Sequence, residues 1–287
     1  MPELPEVEHQ ARALRRLLEG ARIERAEADA TPVLKGKTTP ATFAAGLAGR
    51  SFCGIERVGK LLLLSFDAGT GLACHLGMTG RWRARAAGDA PPRHGRARLV
   101  LQDGRVLDYV DVRMLGRLQI VPRDTFATLA SSLGPDPLRD GLDAQRLGAR
   151  IAGTSRPIKN VLLDQSVLAG LGNIQVTEAL FRARVHPSRA ADALTPAEIE
   201  ALADGILATI MHTLAVHERD DEIIYLSDRT DAPNPFLVYG RVGEPCPRCG
   251  APIRTLTIAG RTSPHCARCQ KKPAATRPGR PERSNAK

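Results

Sequence analysis

Four of the six cysteines fall within 24 residues, as Cys246-Pro-Arg-Cys249, sixteen intervening residues, then Cys266-Ala-Arg-Cys269. Each C-x-x-C can close a turn that aims two thiolates at one point, and two such turns complete the tetrahedral sulfur set that Zn²⁺ accepts. Four unligated thiols or two disulfides are the alternatives. The spacing favours metal, because a module this short cannot bury enough apolar surface to fold unaided. All four positions are filled by protein, so the expected ion is one structural Zn²⁺ with no site open to water. The stretch between the pairs, Ile253 to Ile258 followed by Gly260-Arg261, reads as a short hairpin. Cys53 and Cys74 stand apart in apolar, strand-like segments.

The rest of the chain changes character twice. Val7, Ala11, Leu14 and Leu18 recur at helical spacing, which predicts a helix over 5–19. Pro5 suits its first turn, and Glu6 and Glu8 sit near the positive end of its dipole. From about 50 to 122 short apolar runs predict strands at Leu61–Phe66, Leu72–Leu76, Arg98–Leu101, Val106–Val110 and Leu118–Val121. Asp103-Gly104 is a hairpin signal between two of them. Gly134-Pro135-Asp136-Pro137 reads as a linker. Residues 141–217 read as helical, with Thr195-Pro196-Ala197-Glu198 as a cap before the periodic run Ile199, Leu202, Ile206, Ile210.

The chain has 287 residues, enough for two cores, and a net charge of +10. Residues 271–287 hold six Lys or Arg against one Glu, half of that excess, and almost no apolar side chains, so a disordered basic tail is expected there. The remaining charge suits a local basic face for a polyanion such as nucleic acid. No run of 18 apolar residues predicts a membrane span, and the acidic, proline-rich start does not read as a signal peptide; a cytoplasmic protein is expected.

Pro2 has a chemical meaning if Met1 is removed. Its nitrogen then becomes a secondary amine that can attack a sugar C1′ and form an iminium, and Glu3 can exchange protons with the opening sugar. Taken alone, Met-Pro at the head of a capped helix is the simpler reading of these two residues.

The whole sequence shifts that balance. Pro2-Glu3-Leu4-Pro5-Glu6-Val7-Glu8 resembles the start of the bacterial formamidopyrimidine-DNA glycosylases of the Fpg/Nei superfamily. The resemblance continues in order through Gly59-Lys60, His75-Leu76-Gly77-Met78-Thr79-Gly80 and Asp111-Val112-Arg113-Met114-Leu115-Gly116. It then runs through Ile158-Lys159, Leu162-Leu163-Asp164-Gln165, Gly170-Leu171-Gly172-Asn173-Ile174 and Val238-Tyr239-Gly240-Arg241 into the cysteine ribbon.

The resemblance implies an α+β fold. It comprises an N-terminal β-sandwich domain with a flanking helix over 1–130, a helix-two-turn-helix domain over 131–235, a zinc ribbon over 236–270 and the tail over 271–287. It implies a monomeric base-excision-repair glycosylase and abasic-site lyase acting on double-stranded DNA. The expected substrates are 8-oxoguanine and formamidopyrimidines, since Leu4-Pro5 matches the purine-directed branch. Oxidised pyrimidines, as in the endonuclease VIII branch, or a non-catalytic damage-binding role are the alternatives.

By the same resemblance Pro2 is the Schiff-base nucleophile, Glu3 the general acid/base and Glu6 its support. Lys60 belongs to β-elimination, and Arg261 to δ-elimination and phosphate binding. His75, His94, Lys159 and Asn173 are expected on DNA. Asn173 would lie at a helix amino terminus, whose free amides favour a phosphate. Met78, Arg113 and Leu115 are expected to fill the gap left by an everted nucleotide.

Three departures stand out. Leu115 replaces the usual phenylalanine and loses aromatic stacking. Gln175 replaces the usual tyrosine. The glycine- and threonine-rich lid segment is not recognisable in 217–235, which reads instead as an acidic loop or an alternative lid.

Overall fold

The computed structural model describes residues 2–218 and 233–272. Residues 273–287 of the expected basic tail, and 219–232 of the 217–235 segment, lie outside the described residues.

Helix α1 runs Leu4–Leu18 and lies against a sandwich of two four-stranded antiparallel sheets. One sheet has the order β2-β3-β4-β8, built from Phe52–Val58, Leu61–Phe66, Thr70–His75 and Arg117–Pro122. The other is β1-β6-β7-β5, built from Ile23–Ala28, Gly95–Leu101, Arg105–Val110 and Arg81–Ala86. Leu62, Leu64, Leu72 and Cys74 of the first sheet meet Leu99, Leu107, Tyr109 and Trp82 of the second. The apolar stripe of α1 (Val7, Ala11, Leu14, Leu18) closes one side of this core. Helix α2, Pro40–Leu47, adds Phe43 and Leu47.

Strands β1 and β5 carry charges at most alternate positions and β2 is only weakly apolar, so their strand character shows in the pairing rather than in the composition. In β5, Trp82 faces the core while Arg81, Arg83 and Arg85 lie on the other face.

After the short α3, Phe126–Ala130, the chain crosses to a second core. It is built by α4 (Ala144–Ile151), α5 (Ile158–Leu163), α6 (Asn173–Arg182) and α7 (Pro196–His217). Thr195 caps α7 as its sequence predicts: its side chain accepts the Glu198 amide, and the Glu198 carboxylate accepts the Thr195 amide at 2.9 Å. By composition α7 is apolar enough to cross a bilayer, yet it packs between α1, α4 and α6 as the central helix of this layer. Leu4, the first residue of α1, belongs to this second core, so one helix serves both layers.

The ribbon hairpin pairs β9 (Arg254–Ile258) with β10 (Arg261–His265) and is docked on α6. Phe181 packs with Cys246, Ile253 and Cys266. Arg248 stacks over the Phe181 ring at 4.7 Å and donates to the Phe181 and Arg182 carbonyls, covering the carboxyl end of α6. The buried Glu178 carboxylate accepts the amides of Leu237, Val238 and Tyr239, fixing the strand of chain that enters the ribbon.

Candidate active site

The amino terminus of α1 is pinned across the domain junction. The Leu4 amide donates to the Gly170 carbonyl at 3.0 Å. Gly170 has φ +92°, and a Cβ there would lie 2.7 Å from the Leu4 side chain, so this approach needs glycine.

Glu3, in extended conformation ahead of the helix, sends its carboxylate into the amino terminus of α6. There the first-turn amides have no partner within their own helix. Glu3 Oε2 accepts Gly172 N at 3.0 Å and Gln175 N at 2.9 Å, and Oε1 accepts Ile174 N at 2.9 Å. The buried Glu3 carboxylate thus takes three amides of this terminus, and that of Asn173 is not among them. The Asn173 side chain lines the cleft, where its Nδ2 donates to the Thr262 carbonyl at 3.2 Å.

Glu6 lies one turn along α1 and accepts the Glu3 amide on Oε2 at 2.9 Å. The two carboxyls are driven apart in acidity. Burial, aided by the Glu6 charge, raises the Glu3 pKa despite Lys60 and the α6 amides. Burial opposes ionisation of Glu6 too, but the hydrogen bond and charge of His217, with the Glu3 and Glu6 amides, outweigh it and hold Glu6 below the usual carboxylate range. Neighbouring carboxyls tuned in opposite directions are the arrangement that separates an acid from a base.

Lys60 follows Gly59 in the turn between β2 and β3. A Cβ on Gly59 would sit 2.9 Å from the Gly170 amide, so this turn is pressed against the same loop as Leu4. Asp136, fully buried in the linker, accepts the Gly59 amide at 2.7 Å and pairs with Arg57, which holds the turn in place. Lys60 Nζ donates to the Leu171 carbonyl at 3.0 Å. Burial, with help from Arg261, lowers the Lys60 pKa, against the pull of Glu3 and Glu6.

His75, at the end of β4, accepts the Gly77 amide on Nδ1 at 3.0 Å, which places the proton of the neutral ring on Nε2. Burial, Lys60 and Arg117 push it down to about 4, so it meets a ligand as a neutral donor. Pro2, Lys60, His75, Gly172, Asn173 and Arg261 line one open cleft between the two layers.

Lys159 is not in that cleft. It is 0 % exposed, with Nζ donating to the Thr262 carbonyl at 2.8 Å and Ser263 Oγ at 2.7 Å. The expectation of a DNA contact is corrected to a tie between α5 and the ribbon, beside Arg261. A lysine placed under a hairpin satisfies ribbon carbonyls before it can reach solvent.

Met78, Arg113 and Leu115 form a separate patch at the sandwich edge. Arg113 Nη1 lies 3.5 Å from Met78 Sδ, and Leu115 is 49 % exposed. Buried Asp111 builds this loop by accepting the Arg113 and Gly116 amides at 3.2 and 2.8 Å. His94 is half-buried with φ +65°, and its carbonyl accepts the Asp111 amide at 3.1 Å. Asp111 and His217 are the functional candidates that motif reading passes over. The first is hinted at by its place in the loop motif. The second has no signal in the sequence, because its partner lies 211 positions away.

The four ribbon thiols are mutually close, with Sγ–Sγ separations of 3.9 Å for Cys246–Cys269 and 3.5 Å for Cys249–Cys266. Four sulfurs about 2.3 Å from one Zn²⁺ in a tetrahedron sit about 3.8 Å apart, so the set fits the ion. None of the four is in a disulfide.

Comparison with known proteins agrees with this architecture. The formamidopyrimidine-DNA glycosylase N-terminal domain family matches residues 1–118, its H2TH domain family residues 133–223, and the zinc finger found in FPG and IleRS residues 243–272. The formamidopyrimidine-DNA glycosylase of Roseiflexus sp. is 39 % identical over 274 residues, covering 94 % of this chain and all of that protein. That of Geobacillus kaustophilus is 39 % identical over 280 residues with the same coverage. The Lactococcus lactis enzyme, solved non-covalently bound to DNA with an AP site, superposes with TM-score 0.83 at 29 % identity, over 94 % of this chain and all of that one. A MutM complex with DNA containing carbocyclic 8-oxoguanine gives TM-score 0.83 at 32 % identity, again over 94 % of this chain and all of that one. The sandwich, the helical layer and the four-cysteine ribbon, matched in order along nearly the whole chain, establish that this protein belongs to the formamidopyrimidine-DNA glycosylase family.

Proposed function

We propose that this chain is a bifunctional base-excision-repair enzyme that removes oxidised purines from duplex DNA and then cleaves the abasic strand. The observation that carries the reading is the seating of Glu3 on the α6 amides, directly behind Pro2, which lines a cleft with Lys60, His75 and Arg261.

With Met1 removed, the Pro2 nitrogen attacks C1′ of the everted nucleotide and the C1′–base bond breaks, the electron pair leaving with the base, which takes up the proton that the Pro2 nitrogen gives up. Glu3 delivers its proton to the sugar ring oxygen as the ring opens, leaving an iminium between Pro2 and C1′. Three amides hold the Glu3 carboxyl in one pose, and Oε1, which accepts only one of them, is the oxygen free to carry the proton. Lys60 serves the β-elimination, and Arg261 the δ-elimination together with phosphate contact. His75 Nε2 and Asn173 are assigned to the backbone phosphates flanking the lesion. Met78, Arg113 and Leu115 enter the gap in the stack, and His94 contacts the strand nearby. The ribbon zinc supplies no chemistry; it holds the hairpin that presents Arg261.

The division into 1–130, 131–235, 236–270 and 271–287, monomeric action and a cytoplasmic site of work belong to the same proposal. A second reading keeps the chemistry and changes the base: one similar solved structure, of the L. lactis enzyme at 31 % identity, holds DNA with an oxidised pyrimidine.

Borohydride trapping on an abasic duplex tests the chemistry. A covalent adduct that is lost in Pro2→Gly is expected; tight binding with no adduct would make this a damage-binding protein. Excision assays on duplexes with one defined lesion each then separate the purine from the pyrimidine reading.

A further inference from the structure

His217 ends α7 and is 8 % exposed, against the face of α1 that carries the carboxyl pair. Its Nε2 lies 3.4 Å from Glu6 Oε1. The other Glu6 oxygen accepts the amide of Glu3, whose own carboxyl is fixed by α6. One unbroken line thus runs from an imidazole at the end of α7, through Glu6, to the residue next to Pro2.

Among the described residues His217 meets Glu6 and His9 of α1, while Arg12, Arg16 and Glu218 act on the neighbouring His9. Glu218 is engaged by Arg12 at 3.0 Å, so it is partly neutralised. The His9 ring packs at 5.8 Å from the His217 ring, and its Nε2 is buried with no partner among the described residues. Burial, then His217, Arg16 and Arg12, lower the His9 pKa against the pull of Glu218, which disfavours a second positive charge beside the His217 ring. Glu6 therefore remains the hydrogen-bond acceptor that His217 Nε2 meets.

We propose that His217 is a positioning residue for the carboxyl pair: by donating to Glu6 Oε1 it keeps the negative charge on Glu6, so that of the two coupled carboxyls Glu3 is the one that holds a proton, where the sugar needs it. This rests on the Pro2–Glu3 chemistry proposed above. Without a donor at 217, Glu6 competes for that proton. A proton on Glu6 also removes the repulsion that disfavours ionisation of Glu3, so Glu3 gives up its proton at lower pH.

The test is the pH dependence of single-turnover excision in the wild type, His217→Gln and His217→Leu, with borohydride trapping and binding to an uncleavable duplex measured alongside. The basic limb is expected to move down by about one pH unit in His217→Leu, with rates about tenfold lower above the limb. His217→Gln, which keeps a neutral donor of similar reach, is expected to recover most of that shift. Superimposable profiles for the wild type and His217→Leu, with both proteins forming the covalent adduct, would overturn the inference and leave the Pro2 reading standing. A uniform loss at every pH that Gln does not rescue would also overturn it, by assigning His217 a packing role alone. Absence of an adduct in the wild type would instead strike the Pro2 reading itself.

Discussion

Glu3 Oε2 accepts the backbone amide of Gln175 at 2.9 Å, across 172 positions of sequence. A helix amino terminus is thereby spent on orienting a carboxyl group instead of holding an external anion. Glu3→Gln places an amide NH₂ where a backbone N–H must be accepted. The expected cost is about 1–3 kcal/mol of stability, read by denaturant unfolding. Excision should fall by at least about 100-fold, as for loss of a general acid.

Gly172 tests the same seat from the other side. Its backbone is ordinary for any residue, with φ −131°, but a Cβ there would fall 2.3 Å from Glu3 Cδ. Gly172→Ala should displace the Glu3 carboxyl and cost about 1–3 kcal/mol by overpacking. Excision should drop while zinc content, measured by metal analysis, stays at one per chain.

Lys159 gives a pH prediction. Burial and the nearby Arg261 push its pKa down to about 8 from the usual 10.5. Between those values the unfolded chain binds more protons at this position than the folded one, so its contribution to stability rises with pH across that window. The stability of the wild type minus that of Lys159→Met should rise from pH 7.5 to pH 9.5. A constant difference in denaturant midpoints would count against the buried placement.

Zinc removal should be felt beyond the ribbon, because Phe181 of α6 packs on Cys246, Ile253 and Cys266. Chelation or Cys249→Ser is expected to abolish duplex binding in a mobility-shift assay. The sandwich, whose core contains no ribbon residue, should still unfold cooperatively.

Leu115 stands exposed at the rim and lacks an aromatic face. Leu115→Phe should strengthen base stacking by about 1–3 kcal/mol and raise the everted population, measured with a fluorescent base analogue. No change in eversion would show that this position does not enter the stack.

The elements that could be read from the sequence are those whose cause is local. The two C-x-x-C pairs, the Thr195 cap and the stripe of α1 each follow from spacing within a few residues. The outline of the site was legible through its motifs, since Pro2, Lys60, His75, Asn173 and Arg261 do line one cleft. What was not legible depends on which distant group arrives first. The α6 amides look free until Glu3 fills them, Lys159 looks like a surface cation until the ribbon hairpin covers it, and His217 has no meaning until α7 is laid across α1. Strands such as β5 are hidden for a related reason, because arginines on the outer face of a sheet erase the apolar alternation of the inner one.

The tether between Leu4 and Gly170, with Glu3 locked into α6 beside it, has a consequence for biosynthesis. Ribosomes deliver the reactive end of this polypeptide first and the helix that orients it much later. A nascent or truncated copy lacking the second layer would carry an amine with no oriented acid beside it. The orientation of Glu3 beside Pro2 thus exists only once α6, 169 to 172 positions later in the chain, has been made and folded.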